Sequence, residues 1–266
     1  MNAVSLTPLD LTVAASLVAL DAVLSLLLAL RLHRQIVIAA ARMVLQLVAI
    51  GYILRLVFTL NSPWATLGLV VIMVLVAGRE VAARPEQRFK DLSNLALGAG
   101  SVALATFITA ILALTTAIRP HPWFDPRYAV PLAGIILGNV LNAASLTLDS
   151  FLGGVVRERP AIEARLCLGA TYWEAISGQI RSAIRRGLLP IINQMSAAGV
   201  VTLPGIMTGQ ILAGMDPLEA VKYQILLMFL LSGGSGLAAL VIAYLAAWRL
   251  TDGRQRLRLD RLRATP

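Results

Sequence analysis

Again and again this chain runs for the thickness of a bilayer with hardly a charged side chain. "LTVAASLVALDAVLSLLLAL", residues 11–30, is the first such run. A helix rises about 1.5 Å per residue, so about 20 apolar residues cross a hydrocarbon core of about 30 Å. The runs are continuous rather than alternating, which argues against a porin-like barrel. Only 14% of the residues are charged and 58% are hydrophobic. A soluble domain carries about 25% charged residues, so this chain lacks the means to clothe itself in water. An all-α integral membrane protein is expected.

Seven spans can be drawn, at about 9–30, 36–59, 63–82, 93–118, 128–150, 186–205 and 221–248. The first has no basic segment before it and no small-residue cleavage pattern after it, and it reads as a retained span rather than a signal peptide. No stretch is polar and long enough for a soluble domain, so 1–266 is expected to be one transmembrane domain. A cytoplasmic segment over about 157–186 and a basic tail over 249–266 complete it. Between the last two spans lie Pro204, Gly205, Gly209, Gly214 and Asp216-Pro217. Irregular backbone at membrane depth survives only inside protein or beside a wet cavity. This Pro/Gly segment therefore reads as a re-entrant or unwound piece at the outer end of a pathway, or as a tight turn.

The net charge of +9 invites nucleic acid as a partner, but the basic residues sit at span ends. Arg31, Arg34 and Arg42, then Arg84, Arg88 and Lys90, then Arg157 to Arg186, then Arg249 to Arg263 all fall on one side. By the positive-inside rule that side is the cytoplasm. The expectation is a multi-pass plasma-membrane protein with its N-terminus outside and its C-terminus inside, its tail against anionic lipid.

A charge at mid-membrane costs about 2.5–3.5 kcal/mol on insertion scales. Asp10 and Asp21 in the first span match Arg55 and Arg42 in the second by depth in an antiparallel hairpin. Interhelical ion pairs Asp10–Arg55 and Asp21–Arg42 are expected; a proton or cation relay is the alternative. In the fifth span Asn139 and Asn142 share a helical face. They serve interhelical hydrogen bonds or line a translocation path, together with Asn193, Gln194, Met195, Pro204, Met207 and Gly209. Gly134 and Gly138 form a small-xxx-small ridge for close packing.

No catalytic constellation is visible. His33 and His121 are expected on opposite sides of the membrane, Cys167 is the only cysteine, and no GxxxxGK[ST] loop occurs. The chain is not expected to be an enzyme or to hold a cofactor of its own, so energy must come from a partner or an ion gradient.

The segment "RERPAIEARLCLGATYWEAISGQIRSAIRRGLLP", residues 157–190, places Ile162, Leu166, Gly169 and Trp173 on one helical stripe. It is either an interfacial helix on lipid or an element that docks into a partner's groove. Its "EARLCLGA" resembles the EAA-type coupling loop of ABC-transporter permeases. With "PLAGIILGN", "LCLGATYWEA" and "GVVTLPGIMTGQILAGMDPLEAVKYQI", the chain resembles the FetB-type permease family, which also includes plant aluminium-tolerance half-transporters. The resemblance implies a permease homodimer with two copies of a separate cytoplasmic ATPase that carries the ATP and magnesium. It implies iron export in the bacterial members, and a nucleotide sugar such as UDP-glucose has been linked to the plant ones. It places Glu163, Ala164, Gly169 and Ala170, with neighbouring Trp173, in the ATPase-coupling segment. The chain departs from the family pattern at Asn193 and Ser196, where Asp and Lys are usual. An ion-driven secondary transporter is the other reading of the residues.

Overall fold

The computed structural model describes residues 7–60, 62–90, 93–118 and 125–264. His121 lies outside the described residues. The protein is an all-α membrane protein, and its contacts group into two compact units, residues 1–61 and 62–266.

The first unit packs α1 (Pro8–Leu27) on α2 (His33–Leu60). Thr7 and Asp10 close a capping box at the start of α1: the Asp10 carboxylate accepts from the Thr7 amide at 2.8 Å and its hydroxyl at 2.7 Å. That satisfies the carboxylate locally, at a helix N-terminus that favours negative charge. The Asp10 carboxylate, expected to meet Arg55, is thus engaged by Thr7 of its own helix start. Matched depth is not enough to pair two helices, because rotation about each axis decides which side chains meet. Asp21 and Arg55 both stand on exposed faces.

The second unit contains α3 (Pro63–Ala83), β1 (Gln87–Phe89), α4 (Ser93–Leu112, with a π-helical turn Ala113–Ile118) and α5 (Pro126–Arg157). It continues through α6 (Arg159–Cys167), α7 (Tyr172–Ala197), α8 (Gly205–Leu212), α9 (Pro217–Arg249) and β2 (Leu262–Ala264). α5 is the hub, packed against α3, α4, α7 and α9. Its Ile136, Val140, Ala144, Leu148, Phe151 and Val155 are wholly or almost wholly buried. They recur every three or four residues, the period that keeps one helical face on a core.

Small residues set the closest crossings, although not those the sequence suggested. A Cβ on Gly78 of α3 would lie 2.5 Å from the Ala99 Cα of α4, and one on Gly187 of α7 would lie 2.8 Å from the Ala143 carbonyl of α5. Gly138, by contrast, has nothing within 4 Å of where its Cβ would be. The ridge at Gly134 and Gly138 carries no such approach.

Among the described residues six helices are long and apolar enough to cross a membrane: α1, α2, α3, α4, α5 and α9. The expected span over 186–205 is not one element. α7 begins at Tyr172, ends at Ala197, and carries exposed Arg181, Arg185 and Arg186; residues 198–204 are not helical. The arginines keep α7 out of the apolar class by composition, while its length and its packing on α5 and α9 make it part of the same bundle.

Candidate functional site

At one end of the second unit, α6 and α7 form a sharp elbow whose every step is specified locally. Gly169 N–H donates to the Leu166 carbonyl and Ala170 N–H to the Arg165 carbonyl, each at 3.1 Å. That is the Schellman closure of a helix, and it requires a left-handed residue at the position after the cap. Gly169 supplies it at φ 92°. Two residues on, Thr171 caps α7: its hydroxyl accepts from Glu174 N–H, and the Glu174 carboxylate accepts from Thr171 N–H at 2.8 Å. The Thr171 hydroxyl donates to the same carboxylate at 2.8 Å, and these two donors hold the Glu174 carboxyl below its ordinary range, the backbone one most. The signal for this cap, "TYWE", stands in the sequence as a Ser/Thr-x-x-Glu box, but it escaped the sequence reading.

The elbow buries one set of side chains and presents another. Ile162 is buried, Leu166 packs against the core, and Tyr172 is wholly enclosed. Leu168 at the tip is 87% exposed and Trp173 is 43% exposed. The expected stripe through Ile162, Leu166, Gly169 and Trp173 therefore breaks at the turn, where Tyr172 takes the inward place of Trp173. Glu163 pairs with Arg159 one turn earlier at 2.8 Å, and Ala164 and Gly169 are exposed beside it. Ala170 is half-buried. The Gln179 amide donates to Glu158 at 2.6 Å and so ties α7 to the α5–α6 junction.

The C-terminal residues, expected as a basic tail against anionic lipid, fold into a strap across this end. β2 pairs antiparallel with β1, Arg88 opposite Arg263. Gln255 accepts from the Tyr172 amide at 3.0 Å, and the Tyr172 hydroxyl donates to the Ala247 carbonyl at 2.8 Å. Asp252 accepts from the Arg256 side chain and from the Arg254 and Arg256 amides, and Arg258 grips Asp260 through two bonds of 2.8 Å. Those donors hold both carboxyls below their ordinary value, Arg256 leading for Asp252 and Arg258 for Asp260. The α3–α4 turn, the elbow and the tail thus meet at one end.

At the other end a cavity of about 570 Å³ opens between the last turn of α7, the non-helical residues 198–204, α8 and the start of α9. Met195, Pro204, Met207, Gln224 and Met228 line it. The Pro/Gly segment explains its walls. Pro204 caps α8, Gly214 at φ 95° closes α8 in a second Schellman turn, and Asp216 caps α9 by accepting from Leu218 and Glu219 amides, with Pro217 in the first turn. The segment is a short helix between two turns.

Of the residues expected on a translocation path, the structure brings Met195, Pro204 and Met207 together here. Asn193, Gln194 and Gly209 are exposed and do not line the cavity. Asn139 donates to the Ile135 carbonyl of its own helix at 3.1 Å, and Asn142 accepts from Arg84 at 3.0 Å, bracing the end of α3. Gln224 and Met228 were missed, since a glutamine and a methionine in an apolar helix carry no signal until another element faces them. Among the described residues no group of three or more His, Cys, Asp or Glu side chains is placed to hold a metal.

Comparison with known proteins gives a consistent relationship. The family model UPF0014, described as an uncharacterised protein family, matches residues 8–250. A UPF0014 membrane protein of Synechocystis sp. is 43% identical over 205 residues, covering 76% of this chain and 77% of the relative. The rice UPF0014 membrane protein STAR2 (Oryza sativa subsp. japonica) is 35% identical over 234 residues, 87% and 79% of the two chains. The Escherichia coli protein named "Probable iron export permease protein FetB" is 31% identical over 265 residues, 99% of each. No solved structure matches.

Proposed function

Because this chain belongs to the UPF0014 family, we propose that it is the membrane permease of a two-component exporter, with ATP hydrolysis supplied by a separate subunit. The observation that carries the reading is the elbow. It is a rigidly capped helix–turn–helix with an exposed leucine at its tip, held by the strap at the end of the bundle where the basic residues collect. An exposed leucine with a partly exposed tryptophan beside it, on so well-fixed a turn, fits a groove on a partner. The full-length relation to a protein named for iron export supports a metal species as the cargo and outward movement as the direction.

On this reading the elbow end faces the cytoplasm of a plasma membrane, Leu168 and Trp173 enter the ATPase, and Gly169 and Ala170 set the angle of entry. The cavity between α7, α8 and α9 receives cargo near the outer face. A second copy of the chain completes the permease. The test is co-purification with a nucleotide-binding subunit encoded nearby, followed by ATP hydrolysis and transport in vesicles. Leu168→Asp should abolish co-purification while membrane insertion persists. Transport by this chain alone, driven by an ion gradient without any ATPase, would overturn the proposal.

A further inference from the structure

We propose that the exposed face of α7 is a binding site for an anionic phospholipid. Arg181 and Arg185 grip its phosphodiester with Arg186 beside them, and its acyl chain lies along Leu189 and Ile192. The site goes beyond the permease reading and does not depend on it.

One side of α7, with Ile176, Ile180, Ala183, Gly187 and Ile191, is buried against the bundle. Arg181 and Arg185 stand one turn apart on the opposite side. Both are exposed, as is Arg186 on the flank. Among the described residues none of these three side chains makes an ion pair or a hydrogen bond. By contrast Arg159 is held by Glu163, Arg256 by Asp252, Arg258 by Asp260, and Arg261 by the Arg249 and Thr251 carbonyls. The positive charge of this end that its own acids leave uncompensated thus includes one face of α7.

Depth decides what that face can meet. Gly187 crosses α5 at Ala143 and Thr147. Arg186, Arg185 and Arg181 follow one, two and six residues nearer the elbow, about 2 to 9 Å along the helix. Asp149, two residues past Thr147 on α5, accepts at 3.0 Å from the Glu86 amide in the turn after α3. The three arginines therefore lie where α3, a helix of spanning length, reaches its charged end at Glu80 and Arg84. That level is the headgroup layer, because charge deeper in hydrocarbon is costly.

Along the face the chemistry changes in the order that a lipid presents. Ile192, 45% exposed, and Leu189, 42% exposed, give way to Arg185 and Arg181, with the small exposed residues Ser182 and Gly178 between and below them. A guanidinium offers a phosphate two parallel N–H donors, and basic surface among membrane helices is where anionic headgroups collect. A second copy of the chain seated here would bring the three arginines toward their own images about a twofold axis. A water-filled path would wet Leu189 and Ile192. An anionic phospholipid matches both halves of the face.

The test titrates the full-length protein in mild detergent with phosphatidylglycerol or phosphatidylcholine and reads binding by native mass spectrometry. A preference of at least about tenfold for phosphatidylglycerol is expected. Arg181→Gln, Arg185→Gln and Arg186→Gln together should remove it. Arg185→Gln alone should lower it severalfold, a readout that survives a triple variant unable to fold. Arg254→Gln with Arg263→Gln, on exposed positions of the strap, should leave the preference intact; an equal loss there would mean diffuse surface charge and overturn the site. Inorganic phosphate, against chloride at the same ionic strength, should not displace phosphatidylglycerol, since it lacks the acyl contact; displacement would mark a site for free phosphate and overturn the lipid. Disulfide cross-linking of two copies through Arg185→Cys in a Cys167→Ser background would put a second chain on the face and overturn it too. Equal binding of the two lipids by the wild-type chain, or an unchanged preference in the α7 variants, would do the same.

Discussion

Gly169→Ala separates two reasons for a glycine at the elbow, conformation and space. The position holds φ 92°, and a Cβ there would meet no atom within 4 Å. Packing therefore contributes nothing to the effect of substitution. An L-residue forced into the left-handed region costs about 1–2 kcal/mol, which lowers the ratio of closed to open elbow about 5–30-fold at room temperature. The readout is hydrogen exchange at Gly169 and Ala170, whose amides close the Schellman turn on Leu166 and Arg165. Protection at Ala170 should fall by that factor in Gly169→Ala and by less in Gly169→Asn, because asparagine tolerates the left-handed region better. Gly169→Leu should loosen the elbow no more than alanine does, so any additional loss of ATPase binding in the leucine variant reports a collision with the partner. Unchanged protection in Gly169→Ala would refute the view that backbone conformation holds this turn.

Further consequences can be checked with single measurements. Cys167 is exposed beside the elbow tip, so a membrane-impermeant maleimide should label it only from the cytoplasmic side and the bound ATPase should protect it; labelling from outside would reverse the proposed orientation. Asp252 and Asp260 titrate below their ordinary value of 3.8 in the folded strap. A depressed folded pKa means that their contribution is complete above about pH 4 and is lost as pH falls below it, so exchange protection at the β1–β2 pairing should decline under acid before the helical core loosens. Tyr172→Phe removes the donor to the Ala247 carbonyl, which still accepts from Leu250 N–H at 3.1 Å; a stability loss of about 0.5–1.5 kcal/mol by thermal unfolding is expected, and no loss would show that the bond is idle.

Much of this architecture could be read in the sequence, and the failures share a cause. Long apolar runs declare helices because hydrocarbon admits little else, and α1 to α5 and α9 appear where expected. The signals for the elbow are local, yet the stripe drawn through Gly169 ran straight across a turn that its left-handed backbone makes. What resisted reading depends on how one helix is rotated against another. Asp10 looked like a partner for Arg55 by depth, but Thr7 three residues away engages it first. Asn142 looked like a pore residue until Arg84 at the end of α3 reached it. α7 was misdrawn because its arginines read as loop, whereas one helix continues from the elbow through them into apolar residues. Gln224 became visible only when α8 folded over the start of α9.

That continuity gives α7 a mechanical part to play between the two ends of the unit. Tyr172 at the elbow and Met195 at the cavity belong to one helix, about 35 Å apart at about 1.5 Å per residue. α9 returns the same way, from Gln224 and Met228 to the Ala247 carbonyl under Tyr172. The lower part of α7 is clamped on α5 at Gly187, where no side chain fits beside the Ala143 carbonyl and Thr147. Three residues on, Pro190 sits inside the helix. It has no N–H to offer the Arg186 carbonyl and crowds the preceding turn. The helix is thus weakest between its clamp and the turn that carries Met195, so a tilt at the elbow would bend it there and move the thioether wall. Pro190→Ala restores the missing bond and should stiffen that point. ATPase binding, proposed at the opposite end, should be retained, and export per ATP hydrolysed should fall severalfold. Equal coupling in the proline and alanine forms would show that α7 does not transmit the stroke by bending at this residue.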